Sequence, residues 1–462
     1  MSETKKSLYI KTFGCQMNVY DSDRMSGLLE AQGYQLEKDI RKADVVLINT
    51  CSIRDKSEHK VLSLLGELRP LKQKNPNKVF GITGCVGQRM GRTLLQRVPH
   101  LDLVMGPDAI DRVGGLVGTV LKEGKRVLDV NFDADRNRTY SQPSVIHRAK
   151  PSEFLTVMKG CDHFCTYCIV PFTRGREKSR SIAEVISDVR GFVEKGTREI
   201  TFLGQNINTY GKGTSENLAQ LIEQADQIEG LERIRYVTSH PRDLGEDLIS
   251  QFGHISKLCP ALHLPFQAGS DSVLKAMSRL YTQSQYLEKV SRLRHYCPDI
   301  ALSADVIVGF PGETDADFKE TLKVLAEVEF AGVFMFKYSP RPGTRAVSYG
   351  DEVPESVKDE RLYQAQALVH SILDRQNRAL IGSKTHVLVE SLDKKGKCFT
   401  GRNPQGKIVH VFNAGLACVG KTIEVEITEA NGSNLRGFYV GAPRTIREDG
   451  SVSSASVSQA PN

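Results

Sequence analysis

Three cysteines constrain this chain more than any other feature. Cys15, Cys51 and Cys85 each end a run of strand-forming residues: Ile10-Lys11-Thr12-Phe13-Gly14, Val46-Leu47-Ile48-Asn49-Thr50 and Phe80-Gly81-Ile82-Thr83-Gly84. They recur at intervals of about 35 residues, roughly one strand–helix unit. Equivalent positions in consecutive units of a parallel sheet fall on one rim, where such sheets collect ligands. Gly14 and Gly84 give the backbone freedom to turn there. Three thiols on one rim make a metal site with three protein ligands. The competing reading is three buried cysteines acting as small hydrophobes.

The hydrophobic pattern agrees with an α/β fold. Strand-like runs at Tyr9–Phe13, Asp44–Asn49, Lys78–Thr83, Leu101–Met105 and Arg126–Val130 alternate with helix-like segments near Asp21–Gln32, Arg54–Lys74, Gln88–Arg97 and Ala109–Glu123. That rhythm predicts an N-terminal parallel α/β sheet domain over residues 1–130. Residues 131–150 are polar and aperiodic and read as a linker. Over residues 151–377 the alternation resumes, with strands at Phe154–Met158, Glu199–Leu203, Ile234–Thr238, Ala261–Leu264, Leu302–Val308 and Val333–Tyr338. The intervening helices include Ile182–Lys195, Asn217–Ile228, Ser284–His295, Asp315–Val328 and Glu355–Asn377. Six such units predict a partial (β/α)6 barrel with its site at the carboxyl ends of the strands. Residues 378–442 change to short β runs separated by Lys-Lys-Gly, Asn-Pro-Gln-Gly and Asn-Gly-Ser turns, which predicts a small OB-like β-barrel. Residues 443–462 are a low-complexity tail, expected to be disordered.

A second triad, Cys161-x-x-x-Cys165-x-x-Cys168, directly follows the first barrel strand. Three thiolates in one short loop can hold a four-iron, four-sulfur cluster by three corners and leave one iron open. Structural zinc wants four ligands, usually as paired Cys-x-x-Cys halves, and only one half is present. His163 could serve as a fourth ligand but sits inside the loop, where the geometry is poor. The chain has 10 cysteines in 462 residues, too sparse for a disulfide scaffold. It opens without an apolar signal core, so a cytoplasmic protein is expected. No apolar run reaches the length of a membrane span. The formal net charge of +7 permits a polyanionic partner without requiring one. Cys259, Cys297, Cys398 and Cys418 show no ligand spacing and read as small hydrophobes.

The Cys-x-x-x-Cys-x-x-Cys loop, with Tyr167 before its last cysteine, resembles the radical S-adenosylmethionine superfamily. Together the two triads resemble the methylthiotransferase family, in which an N-terminal domain, a radical barrel and a C-terminal TRAM domain occur in that order. The texts Gly14-Cys15-Gln16-Met17-Asn18-Val19-Tyr20-Asp21-Ser22 and Gly160-Cys161-Asp162-His163-Phe164-Cys165-Thr166-Tyr167-Cys168-Ile169-Val170-Pro171-Phe172-Thr173-Arg174-Gly175-Arg176-Glu177 are similar to its tRNA branch. The resemblance implies two 4Fe-4S clusters, on Cys15, Cys51 and Cys85 and on Cys161, Cys165 and Cys168. It implies two molecules of S-adenosyl-L-methionine per turnover, one methylating a sulfur at the N-terminal cluster and one giving a 5′-deoxyadenosyl radical. The implied substrate is N6-isopentenyladenosine at position 37 of tRNA, and the product is its 2-methylthio derivative. No side chain is expected to be catalytic, because the clusters carry the chemistry. Implied partners are the tRNA anticodon loop, an electron-donor protein such as flavodoxin or ferredoxin, and a sulfur donor. A monomer is expected, and no membrane.

By superfamily analogy Gln205, Asn206, Gln267 and Ser270 contact S-adenosylmethionine. Two basic groups are expected to meet RNA. Arg174, Arg176, Lys178 and Arg180 follow the cluster loop, where a phosphate backbone would pass. Lys395 and Lys397 belong to a basic face of the C-terminal barrel. The competing reading of the first group is a solvated surface run or a partner for the cofactor's carboxylate. Phe399 and Phe412 could stack bases, though a core role suits them better. Two other functions stay open on these residues alone: a methylthiotransferase acting on an aspartate of a ribosomal protein, and an RNA-binding module with structural clusters.

Overall fold

The structure, a computed structural model, describes residues 6–52, 55–132, 139–142, 149–350, 353–432, 434–441, 445–446 and 452–453. The N-terminal sheet runs in the order Gln35–Leu36, Ser7–Thr12, Val45–Thr50, Val79–Thr83, Leu103–Met105, Val127–Asp129, with every pair parallel. The edge pair Gln35–Leu36 escapes the hydrophobic pattern because both residues are exposed. Val45–Thr50 is buried along its whole length, as a central strand covered on both faces must be. Helices Gln16–Glu30 and Val113–Glu123 bury Met25, Leu29, Val113 and Val117 against one face. Helices Asp55–Lys74 and Gly84–Arg97 bury Val61, Leu65, Val86 and Leu94 against the other. Thr12 pairs with Asn49 and Asn49 with Thr83. The three strands therefore end in step, just before their cysteines.

The central domain is an incomplete barrel of two three-stranded parallel sheets. One holds Ser152–Thr156, Glu199–Leu203 and Arg233–Val237; the other holds Ala261–His263, Ala301–Val308 and Gly332–Lys337. Backbone hydrogen bonds from Ser239 N–H to the His263 carbonyl (3.3 Å) and from Cys259 N–H to the Ile234 carbonyl (2.9 Å) join them. Among the described residues no strand pairing closes Gly332–Lys337 onto Ser152–Thr156. The helices start where local chemistry permits. Ser181 accepts the Glu184 N–H ahead of Ile182–Glu194, and Thr314 and Asp317 form a reciprocal capping box ahead of Asp315–Val328. Glu246–His254 and the short Asp271–Ala276 are helices that the hydrophobic pattern did not single out.

The C-terminal domain is a closed five-stranded barrel: Lys384–Leu392, Phe399–Arg402, Ile408–Phe412, Asn434–Tyr439 and Thr422–Asn431 in spatial order. Val387, Val389, Phe399, Val409, Val411, Val425, Ile427 and Leu435 fill it. It docks on the amino ends of the central strands. Arg233 donates to the carbonyls of Arg402 (2.8 Å) and His386 (3.0 Å), and Arg235 to that of Asn403 (2.9 Å). Most of the expected linker lies outside the described residues. Its described part is docked: the Tyr140 N–H bonds the Ser179 carbonyl at 3.0 Å, and the Lys159 ammonium sits 4.9 Å from the Tyr140 ring. The expected tail lies outside the described residues except for Thr445–Ile446 and Val452–Ser453, which pair antiparallel and so depart from disorder. Among the described residues no helix is long and apolar enough to cross a membrane.

Candidate active site

Local backbone geometry gathers the first triad. Gly14 and Gly84 have φ of +128° and +83°. A Cβ on Gly14 would lie 2.5 Å from Cβ of Cys51, and one on Gly84 would lie 2.4 Å from Oδ1 of Asn49 and from the Thr50 carbonyl. Only glycine fits either place. Cys15 precedes helix Gln16–Glu30 and Cys85 lies in the first turn of Gly84–Arg97. Cys51 and Cys85 are buried. A hydrogen bond with Cys51, helped by the nearby Arg174 charge, outweighs burial and brings the Cys15 thiol down to about 6.

The second triad lies in the loop after Met158–Lys159. Burial pushes the Cys168 thiol up to about 12, and that thiol also senses Cys165 and, from the other triad, Cys85. Burial likewise pushes Cys161 above the ordinary thiol range. The domains meet here. Helix Val170–Arg174 lies against Gly84–Arg97, and helix Gln16–Glu30 against the first barrel strand. Thr156 Oγ1 reaches Met17 Sδ at 3.6 Å, and Lys159 pairs with Asp108 at 2.9 Å. The two sets of sulfurs therefore share one seam.

None of the six cysteines is paired in a disulfide. Among the described residues neither triad gathers its three sulfurs within 4.8 Å of one another. One tetrahedral zinc, with Zn–S of about 2.3 Å, needs its sulfurs about 3.8 Å apart. The donor sets fit iron–sulfur clusters, whose thiolates bind separate irons. His163 is no fourth ligand in this arrangement. Its Nε2 bonds Asp243 Oδ2, its ring stacks on His240 at 4.1 Å, and Asn206 Nδ2 donates to the same Asp243 oxygen at 2.8 Å. That group braces the cysteine loop against the loops after the second and third barrel strands.

The residues expected to contact S-adenosylmethionine divide. The Gln205 side-chain oxygen accepts the Gly160 N–H, at the entry to the cysteine loop. Asn206 is buried, and among the described residues its Oδ1 has no partner, as is true of Ser239 Oγ and His240 Nε2 on the next loop. Buried polar atoms normally find partners, so these three, on adjacent loops at the carboxyl ends of the strands, stand out; Ser239 and His240 carry no motif that would have marked them. Gln267 holds φ of +69° while its N–H bonds the Asp305 carbonyl at 3.0 Å. The Ser270 hydroxyl contacts Ser272 Oγ at 2.8 Å and is also bonded to Asp317.

The structure places the basic run differently from the expected surface stretch. Arg174, Lys178 and Arg180 are buried and do not form a phosphate-facing surface. Arg180 pairs with buried Asp188 at 2.7 Å, and Arg174 with Asp21 at 2.8 Å. A strand pairing, Lys178–Ser179 against Met158–Lys159, draws the segment inward. Arg176 keeps a side chain 66% exposed while pairing with Asp162 at 2.6 Å. Lys395 and Lys397 are exposed at a turn of the C-terminal barrel. Phe399 is core, and Phe412 packs on Phe438 with ring centroids 5.7 Å apart. Cys259 and Cys297 are buried, whereas Cys398 and Cys418 are only partly so. Sequence reasoning missed Arg279, whose Nη1 lies 3.6 Å from Cys165 Sγ while its Nη2 bonds the Pro265 carbonyl at 2.8 Å.

Three family descriptions match in series: UPF0004 over residues 7–106, the radical SAM superfamily over 155–325 and the TRAM domain over 378–440. The tRNA-2-methylthio-N(6)-dimethylallyladenosine synthase of Syntrophus aciditrophicus (strain SB) is 44% identical over 441 residues, covering 94% of each chain. The synthase of the same name from Cereibacter sphaeroides (strain ATCC 17029 / ATH 2.4.9) is 45% identical over 443 residues, 96% of this chain and 100% of the relative. The chain belongs to this synthase family. The radical SAM superfamily carries a 4Fe-4S cluster and S-adenosylmethionine with it. Among solved structures, the radical S-adenosylmethionine methyltransferase TsrM from Kitasatospora setae superposes with a TM-score of 0.56 at 13% identity, over 74% of this chain and 77% of its own. That likeness is one of fold.

Proposed function

We propose that this chain converts N6-isopentenyladenosine at position 37 of tRNA to its 2-methylthio derivative, using two 4Fe-4S clusters and two molecules of S-adenosylmethionine per turnover. The observation that carries the reading is the meeting of two three-cysteine sites at one domain seam, in a chain whose full-length relatives bear that synthase name. Cys161, Cys165 and Cys168 would hold one cluster; Cys15, Cys51 and Cys85 would hold the other. When bound, these groups supply radical formation and sulfur delivery, which side-chain acids and bases cannot offer at an aromatic C–H bond.

The chain's own residues hold the geometry. Gly14 and Gly84 let the sheet rim turn its thiols inward, and His163, Asp243 and Asn206 fix the cysteine loop. Asn206, Gln205, Gln267 and Ser270 line the approach for S-adenosylmethionine, with Ser239 and His240 added to them. Arg176, Lys395 and Lys397 would meet the tRNA backbone, and position 37, in a loop, can be splayed out at less cost than a paired base. The reading divides the chain at 130, 150, 377 and 442. It takes a cytoplasmic monomer that draws electrons from a flavodoxin- or ferredoxin-like protein and sulfur from a separate donor. Anaerobic incubation of the reconstituted protein with isopentenylated tRNA, a reductant and S-adenosylmethionine, followed by nucleoside mass spectrometry, tests it. The expected product is the 2-methylthio nucleoside; S-adenosylmethionine cleavage with an unmodified tRNA overturns the reading.

A further inference from the structure

Arg174 lies in the helix that leaves the radical cysteine loop, yet its partners belong to the N-terminal domain. Its Nη2 donates to Asn18 Oδ1 at 2.9 Å and to Asp21 Oδ2 at 2.8 Å. Asn18 Oδ1 is 3.8 Å from Cys15 Sγ, while Asn18 Nδ2 donates to the Phe13 carbonyl and the Asn18 carbonyl accepts from Asn49. Asn18, Asp21 and Arg174 are each at most 6% exposed. The guanidinium charge is felt by both Cys15 and Cys85. A buried cation with one carboxylate partner, placed beside two metal-ligating thiols, is an expensive arrangement that a phosphate contact at a surface would not need.

We propose that Arg174 is a positioning residue for the N-terminal cluster, contributed by the other domain, and that with Asp21 it sets that cluster's reduction potential. The proposal rests on the reading that Cys15, Cys51 and Cys85 hold a cluster. A cluster bound by thiolates gains negative charge when reduced, so its potential follows local charge and hydrogen bonding. Arg174 favours the reduced state and Asp21 opposes it. The radical triad has its own buried arginine, Arg279 beside Cys165, but that residue comes from the same domain. Among the described residues the N-terminal site borrows positive charge across the seam, from Arg174 and also from Arg341, whose charge acts on Cys51, so its electrostatic environment is complete only when the two domains are docked.

The test is an EPR-monitored redox titration of full-length protein carrying Cys161→Ala, Cys165→Ala and Cys168→Ala, so that the N-terminal site alone holds iron. Arg174→Met should cut the reduced-to-oxidised ratio at fixed potential by about tenfold, a fall of about 59 mV for one electron. Asp21→Asn should shift the potential upward, and Arg174→Lys should stay near the parent. Opposite signs for the two neutralising variants are what a merely structural salt bridge would not produce. If Arg174→Met fails to take up iron, the sign of the Asp21→Asn shift and the behaviour of Arg174→Lys decide. Shifts of the same sign, or an unmoved potential in both neutralising variants, overturn the proposal while leaving the cluster reading intact. A parent that holds no iron at these three cysteines overturns both.

Discussion

The two cysteine triads solve one problem by opposite routes. Cys161, Cys165 and Cys168 lie within one loop, so local chain geometry alone brings them together. Cys15, Cys51 and Cys85 come from three separate strand–helix units, and only the paired sheet brings them together. The first arrangement survives any fold that leaves the loop intact. The second exists only while the register of the parallel strands and the turns at Gly14 and Gly84 are kept. A locally built site is legible as a motif; a topologically built site is legible only as a period.

Removing one ligand from each site should separate them most. Cys161→Ala is expected to abolish S-adenosylmethionine cleavage and all product, with the iron content halved. Cys51→Ala should halve the iron content too but spare cleavage to 5′-deoxyadenosine while the methylthio nucleoside disappears. Equal loss of cleavage in both variants would erase the distinction.

Backbone substitution sharpens the same contrast. Gly84→Ala forces a side chain into a left-handed turn, at a cost of about 1–2 kcal/mol before the contact with Asn49 is counted. Cluster loading at the N-terminal site should fall while S-adenosylmethionine cleavage persists. Iron analysis beside a cleavage assay checks it.

The basic residues offer a comparison of the same kind. Arg180→Met leaves Asp188 buried without its partner and should cost about 3–5 kcal/mol in chemical denaturation. Lys395→Ala and Lys397→Ala should leave stability within about 0.5 kcal/mol. Each should weaken tRNA binding and lower the slope of log affinity against log salt by about 1. A stable Arg180→Met protein with a reduced salt slope would restore Arg180 to the RNA-facing surface.

The smallest effect should come from Ser181→Ala. It removes the cap ahead of Ile182–Glu194 and should cost about 1 kcal/mol, read as a shift in unfolding midpoint with no change at either cysteine site.

Much of the fold was legible. The unbroken strand-forming runs at Val46–Thr50 and Ile200–Leu203, buried along their whole length, and the helical period of Asp315–Val328 arise from burial on one or both faces, which sequence records directly. The third-strand helix Glu246–His254 was harder to see because it is short. For the basic run after Cys168, residue type gave the wrong answer: arginine carries the same charge on a surface as in a seam. What decides between the two is a partner such as Asp21, which stands far away in the chain.

By itself, the sequence determined that six cysteines form two groups of three, one by adjacency and one by register, because strand length and side-chain hydrophobicity are local properties. Only the tertiary structure decided that Arg174 and Arg279 lie beside them. It also decided that Ser239 and His240 turn unpaired polar atoms into the interior. Those are meetings between distant segments, set by how domains pack, and no local pattern of residues encodes them.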